Sequence, residues 1–247
     1  MPNATRHSRR RPLLCELHSH STWSDGELDL DRLVDLYGER GFDVLCITDH
    51  VVRACDLTSG AVDGRSHAAY LDAVDAVAER ALREHGLLVL PGLELTYSDL
   101  DADLAVHALA VGLRRFVGVD DGPRAAMAEA RAAGAAIIAA HPHSDERDPI
   151  PGRTTRGVYA DRTHMREAVD RYELMNRHDV FAWVARERLP SVACGDAHRA
   201  EHLLTWKTLL ACDPTPADVV AFLRSDAPAH LTRVDAAPVA GAAVHAA

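Results

Sequence analysis

The feature that most narrows the possible folds is an alternation. Seven short apolar runs, Leu13–Leu17, Val44–Thr48, Leu87–Leu93, Leu104–Val111, Ala135–Ala140, Tyr172–Met175 and Ser191–Cys194, are separated mostly by amphipathic stretches. Those stretches are Asp29–Arg40, Ala69–Glu84, Pro123–Ala133, His178–Arg188 and Thr215–Arg224. In the first, apolar residues at 30, 33, 34 and 36 fall on one helical face. Asp29 or Asp31 suits its N-cap and Gly41 its stop, while Thr215-Pro216 reads as a cap followed by the first helical residue. Strand alternating with helix predicts an α/β fold with a mostly parallel sheet. Seven units in 247 residues favour a closed or distorted (β/α)7 TIM-like barrel over an open sheet. The run at 104 follows the run at 87 too soon for a helix between them.

The ends of these runs carry the chemistry. After the first come His18 and His20, then Asp25; after the second, Asp49 and His50. The third ends in Glu94, the fourth carries His107, and the fifth ends in His141-Pro142-His143. The sixth carries Glu173 and Asn176, and the seventh ends in Asp196-Ala197-His198. In a parallel barrel such ends share one face, where active sites are built. Residues two apart on a strand point the same way, so His18 with His20, and Asp196 with His198, can enter one pocket together. Any one of these pieces has an ordinary structural explanation. Their placement at the same topological position on every strand does not. Imidazoles and carboxylates without thiolates suit zinc, manganese or iron. About three protein ligands serve a catalytic ion, so this set divides into two or three ions sharing a carboxylate. Paired ions can hold a bridging hydroxide and stabilise an oxyanion, which suits phosphate-ester hydrolysis.

Composition excludes other classes. No apolar run approaches the roughly 20 residues that cross a bilayer. A net charge of −10 argues against long nucleic acids as partners. Three of the five cysteines (Cys15, Cys46 and Cys194) sit in apolar runs and no C-x-x-C occurs, as expected of reduced, buried thiols in a cytoplasmic protein. Alanine and arginine abundance, with Lys207 the single lysine, suggests a bacterial source. Residues 1–12 and 233–247 lack periodicity and are expected to be loose tails around one domain at 13–232.

The strings LHSHSTWSDG, ITDH, GLE, AHPH and GDAH, in that order, closely resemble the PHP superfamily, the polymerase and histidinol phosphatase family of metal-dependent phosphoesterases. The resemblance spans about residues 13–225. It implies a distorted seven-stranded (β/α) barrel with up to three metals at the C-terminal mouth. It also implies the ligand roles. His18 and His20 with Asp196 hold a first ion, Glu94 bridges to a second completed by His107 and His141, and Asp25, His50 and His198 hold a third. Trp23 stands where tyrosine is commoner, and Cys194-Gly195 where glycine and serine often precede the aspartate. Neither change removes a ligand. The blocks most resemble the stand-alone bacterial hydrolases of the superfamily, including those named for carbamate-insecticide hydrolysis. Only twelve residues separate Glu94 from His107, which leaves no space for the domain inserted in larger nucleotide phosphatases.

Substrate-contacting residues are less well marked. Arg53 and Arg199 follow metal motifs and are candidates for forked phosphate contacts. Residues 144–160, with Arg147, Arg153 and Arg156, are a candidate lid. His143 is a candidate proton donor to the leaving oxygen, Asp49 a residue orienting a ligand histidine or capping a turn, and Glu173 and Asn176 supports for the ligands. The expected function is a phosphomonoesterase acting on a small phosphorylated metabolite or nucleotide. An amide, ester or carbamate hydrolase, a phosphodiesterase or exonuclease on short oligonucleotides, and a non-enzymatic metal-binding domain remain as alternatives.

Overall fold

A computed structural model describes residues 11–56, 60–143 and 155–235. The expected tails lie almost wholly, and Arg147 and Arg153 entirely, outside these residues. Eleven strands are described: β1 (Leu13–Glu16), β2 (Val44–Ile47), β3 (His50–Val52), β4 (Leu88–Tyr97), β5 (Val106–Val111), β6 (Ala136–Ala139), β7 (Arg171–Asn176), β8 (Asp179–Val180), β9 (Ser191–Cys194), β10 (Trp206–Leu210) and β11 (His230–Arg233). The helices are α1 (Leu30–Gly38), α2 (His67–His85), α3 (Pro123–Ala132), α4 (Gly157–Ala160), α5 (Arg162–Ala168), α6 (Ala182–Arg186) and α7 (Pro216–Leu223). All seven apolar runs are strands. Asp29 caps α1 by accepting from Arg32 N, and Thr215 caps α7 by accepting from Asp218 N, with Pro216 at the first helical position.

The strands form one sheet in the order β11-β10-β1-β2-β4-β5-β6-β7-β8, with β3 on β4 and β9 on β7. The sheet curls until β9 approaches β1 and β10. Ala197 N donates to His18 O at 3.1 Å, His20 N donates to Ala197 O at 2.9 Å, and Ala193 N donates to Thr208 Oγ1 at 2.9 Å. The expectation of a mostly parallel sheet needs correction, because half of the strand pairings described are antiparallel. β5 runs against both β4 and β6, since the connection from β4 is too short for a crossover helix. β3, β8, β10 and β11 add four strands beyond the seven expected.

The two faces of the sheet divide the core. One packs on the helices, with Val34 and Tyr37 of α1, Tyr70 and Val74 of α2 and Met127 of α3 in a cluster that includes Leu45, Ile47 and Leu93. The other gathers Cys15, Val44, Cys46, Leu90, Leu109, Ile138 and Cys194 and is closed by Val219 and Leu223 of α7. Buried side chains of this size contribute about 1.5–3 kcal/mol each. Arg171 anchors that plug. Its buried guanidinium donates to the carbonyls of Phe222, Leu223, Ser225 and Ala227 at 2.7–3.0 Å, at and just beyond the end of α7.

Along each strand of the second face the character changes. On β4, Leu90 gives way to Gly92 and then Glu94; beyond β9, Cys194 gives way to Asp196. On β5 the order is reversed, Val111 and Leu109 lying in the apolar cluster and His107 at the opposite end. His107 is the second residue of its strand. Only because β5 is antiparallel does it pair with Thr96 and stand beside Glu94.

Candidate metal centre

Three groups of side chains meet here, each with potential ligand atoms within 4.8 Å of one another. Glu94 joins two of them. Its Oε2 lies 3.4 Å from both His18 Nε2 and His20 Nε2, and its Oε1 lies 3.3 Å from both His107 Nδ1 and His141 Nε2. Asp196 Oδ1 stands 3.5 Å from the same atoms of His18 and His20. Asp25 Oδ1 forms the third group with His50 Nε2 at 3.4 Å and His198 Nε2 at 3.3 Å, and His20 Nδ1 is 3.9 Å away. The nine candidate ligands therefore fall into one continuous cluster.

The spacing is informative. Ligands about 2.1 Å from a tetrahedral ion stand about 3.4 Å apart. The cluster's 3.3–3.5 Å separations match that edge, and they are long for hydrogen bonds. His18 Nε2, His20 Nε2, His107 Nδ1 and Glu94 Oε1 are buried and have no hydrogen-bond partner among the described residues, while Glu94 Oε2 also stands 2.9 Å from His50 Nδ1. Such groups would each cost free energy if nothing bound them. The residues present therefore fit divalent cations held by imidazole and carboxylate.

The opposite nitrogen of most of these histidines is held. His18 Nδ1 meets Glu173 Oε1 at 2.8 Å, His50 Nδ1 meets Thr96 Oγ1 at 2.7 Å, and His141 Nδ1 meets Thr155 Oγ1 at 3.2 Å. Such contacts fix the ring and its tautomer. Glu173 also accepts from His141 N and from Asn176 Nδ2, both at 2.7 Å, so its second oxygen steadies a second ligand. Asp49 accepts from Ser21 N, Ser21 Oγ and Ser24 Oγ at 2.6–2.8 Å and so shapes the loop that carries His20 and Asp25. In that loop a Cβ on Gly26 would lie 2.3 Å from His20 O, so the close approach requires glycine.

Two candidate ligands occupy the left-handed region, His141 at φ 30° and Asp196 at φ 46°. That conformation costs on the order of 1–3 kcal/mol at a non-glycine residue and persists only where neighbours impose it. Glu173, Thr155 and Trp183 do so for His141, with Thr155 Oγ1 donating to His141 O at 2.8 Å and Trp183 Nε1 to Pro142 O at 2.7 Å. Arg177 does so for Asp196, donating to its carbonyl from Nε and Nη2 at 3.1 and 2.8 Å.

The charges show what the cluster demands. Burial alone would raise the Glu94 and Asp196 carboxyls, but the surrounding histidines hold both well below the usual range. Burial would lower His18, yet Asp196, Glu94 and Glu173 raise it well above 6.5. Burial also opposes charge on His198, and Asp196 and Asp25 lift it to about 10. Bare carboxylates here draw protons onto His18, His50 and His198, while burial keeps His20 and His107 lowered, and cations would satisfy the same demand.

Other sequence candidates lie elsewhere. Arg53 bonds Asp56 at 2.9 and 3.1 Å, stands 3.5 Å from Asp99 and stacks on Tyr97. Arg199 is exposed, 3.6 Å from Glu27, and Arg156 is 3.4 Å from Asp103. His143 is buried against the Phe181 ring. The cation beside the cluster is one that sequence reasoning missed. Arg177 Nη2 lies 3.1 Å from Asp196 Oδ2 and 2.9 Å from His198 Nδ1. No sequence motif marks Arg177, which sits in the β7–β8 turn. Cys15, Cys46 and Cys194 are buried and unbridged, whereas Cys55 is exposed. Among the described residues no helix is long and apolar enough to cross a membrane.

Residues 16–187 match the PHP domain family, a span that includes every candidate ligand except Asp196 and His198. No curated protein matches the chain. Among solved structures, a two-domain protein of Bacteroides vulgatus containing a predicted PHP-like metal-dependent phosphoesterase is similar at 17% identity and a TM-score of 0.65, covering 94% of this chain and 70% of that one. A protein of Bifidobacterium adolescentis, assigned by inference as a metal-dependent phosphoesterase, is similar at 18% identity and a TM-score of 0.50, covering 77% of this chain and 90% of that one.

Proposed function

The chain belongs to the PHP domain family, and from that premise we propose that it is a metal-dependent phosphomonoesterase acting on a small phosphorylated metabolite or nucleotide. The fold is read here as a distorted seven-stranded barrel of β1, β2, β4, β5, β6, β7 and β9, with the Ser19–Ala197 bridge between its ends. The observation carrying the reading is the shared Glu94, one oxygen facing His18 and His20 and the other facing His107 and His141 at ligand spacing. His18, His20, Glu94 and Asp196 would hold one ion, Glu94, His107 and His141 a second, and Asp25, His50 and His198 a third. Zinc, manganese or iron bound there would neutralise phosphate oxygens and acidify water at neutral pH.

The chain's own residues orient and restrain. Glu173, Thr96 and Thr155 hold ligand rings in place, so little reorganisation accompanies reaction. Arg177 adds fixed positive charge. Its Nε and Nη2 are engaged with Asp196, and its Nη1 has no partner among the described residues. We assign that nitrogen to a substrate phosphate oxygen. Arg177→Met should raise KM for a phosphate monoester about 10- to 100-fold, the scale of one charge-assisted hydrogen bond. The measurement is steady-state kinetics on protein of known metal content. An unchanged KM would remove Arg177 from the substrate site.

One observation favours a second reading, hydrolysis of an uncharged ester or carbamate. Arg53 and Arg199 are tied to acids, leaving few cations for a dianion among the described residues. Turnover of p-nitrophenyl phosphate, bis(p-nitrophenyl) phosphate and p-nitrophenyl acetate separates the two, measured after chelation and reloading with manganese, zinc or iron. The monoester should be preferred, and only in the presence of metal. Acetate alone being turned over would establish the second reading, and turnover that survives chelation would overturn both.

A further inference from the structure

We propose that Glu16, with Lys207 as its countercharge, is a positioning residue that sets the spacing between His18 and Asp196. The proposal rests on the metal-centre reading above. Glu16 and Lys207, the single lysine of the chain, are both fully buried and meet at 2.8 Å. Buried ion pairs of this kind are weak sources of stability, because desolvation offsets most of their attraction. Their partners here suggest another purpose.

Glu16 Oε1 accepts from three backbone N–H groups on two separate segments. Leu17 N at 3.1 Å and His18 N at 3.2 Å belong to the end of β1, and Gly195 N at 2.8 Å to the end of β9. One carboxylate oxygen therefore joins the two strand ends that carry His18 and Asp196. Its other oxygen accepts from the Tyr37 hydroxyl of α1 at 3.1 Å and is the one facing Lys207. Lys207 also donates to His202 O at 3.0 Å and Thr205 Oγ1 at 2.6 Å, and His202 Nδ1 in turn accepts from His198 N at 3.1 Å. The network thus reaches the backbone of His18, of Gly195 next to Asp196, and of His198, without touching any ligand atom of these residues.

Gly195 shows how closely the clamp is drawn. A Cβ there would lie 2.3 Å from Glu16 Oε2 and 2.4 Å from Lys207 Nζ. Side chain and backbone are in contact at that point, so a change in the clamp moves the residue next to Asp196. Among the described residues the ends of β1 and β9 are also linked at the Ser19–Ala197 bridge, where Ala197 N donates to His18 O and His20 N to Ala197 O, so the clamp and that bridge together set their spacing.

Two double variants test the assignment through metal binding rather than turnover. E16Q/K207M removes both charges but keeps an oxygen acceptor for the three N–H groups. E16L/K207M removes the acceptor as well. Chelated proteins are titrated with cobalt(II), followed by its visible absorption, and their thermal midpoints are recorded without metal. E16Q/K207M should bind cobalt within about threefold of the unaltered chain. E16L/K207M should lose 10- to 100-fold in affinity for at least one ion, the scale seen when groups supporting metal ligands are removed. A purely structural pair would lower the midpoint of the E16L/K207M variant and leave its cobalt affinity unmoved, which would overturn the proposal. If that variant does not fold, Gly195→Ala decides by the same titration, with weakened binding expected and unchanged binding overturning the clamp. An unaltered chain that takes up no cobalt would overturn the metal-centre reading and the clamp together.

Discussion

Glu94→Ala is expected to abolish turnover, by at least about a thousandfold or roughly 4 kcal/mol of barrier, and to release two ions rather than one. Each Glu94 oxygen faces a different pair of imidazole nitrogens at 3.3–3.4 Å, and no other residue among those described reaches both pairs. The side chain is buried, so water cannot enter freely to replace it. Its loss also leaves His18, His20, His107 and His141 crowded without the carboxylate they all face. Glu94→Gln keeps the shape but only one strong acceptor oxygen, and should fall between. Asp25→Asn should be milder, because Asp25 is half exposed and serves only the group formed with His20, His50 and His198. Elemental analysis alongside kinetics checks this. A Glu94→Ala protein that keeps both its metal content and its rate would show that Glu94 is not shared.

How far the sequence alone led can be judged at particular residues. The apolar runs became strands because a short continuous apolar stretch bounded by amphipathic segments is a local signal, as were the caps at Asp29 and Thr215. The histidine and acid motifs lie beside those runs, so the candidate ligands could be named before their meeting was seen. Pairing direction was not local. His107 was expected at a strand end with the others, yet it begins its strand, and the reversal of β5 is what brings it to Glu94. β10 and β11 lack a strong periodicity and take their conformation from pairing with β1 and each other. Arg177 and Lys207 were passed over for the same reason. Lys207 meets Glu16 across most of the chain, Arg177 meets Asp196 nineteen positions away, and no motif announces either contact. Arg53 and Arg199 were singled out by nearness in sequence to ligands, but nearby acids claim both.

The same electrostatics predict that pH will act in opposite directions on the metal-free and metal-loaded protein. Between pH 7 and 9 the relevant groups in the metal-free form are those with raised values. Burial works against the charged form of His198, but Asp196 and Asp25 carry it to about 10, and His18 and His50 are raised by their carboxylates in the same way. A histidine with an unfolded value near 6.5 and a higher folded value contributes stability that is complete below 6.5 and lost as pH rises toward the folded value. Burial raises the thiols of Cys15, Cys46 and Cys194, which adds a loss of the same sign above about 8.5. His20, lowered to about 3 by burial, is neutral in both states across this window and adds no slope, and the depressed carboxylates of Glu94 and Asp196 are ionised in both. Each raised group contributes at most about 1.4 kcal/mol per pH unit, so from pH 7 to 9 His198 by itself should lower the metal-free midpoint by roughly 5–10 °C. Bound metal reverses the sign, because cations take only deprotonated imidazoles and bind more tightly as protons are withdrawn. Thermal midpoints measured at pH 7, 8 and 9, in chelator and in excess manganese, should therefore diverge as pH rises. Parallel slopes in the two series would mean that protons and cations do not compete for these side chains.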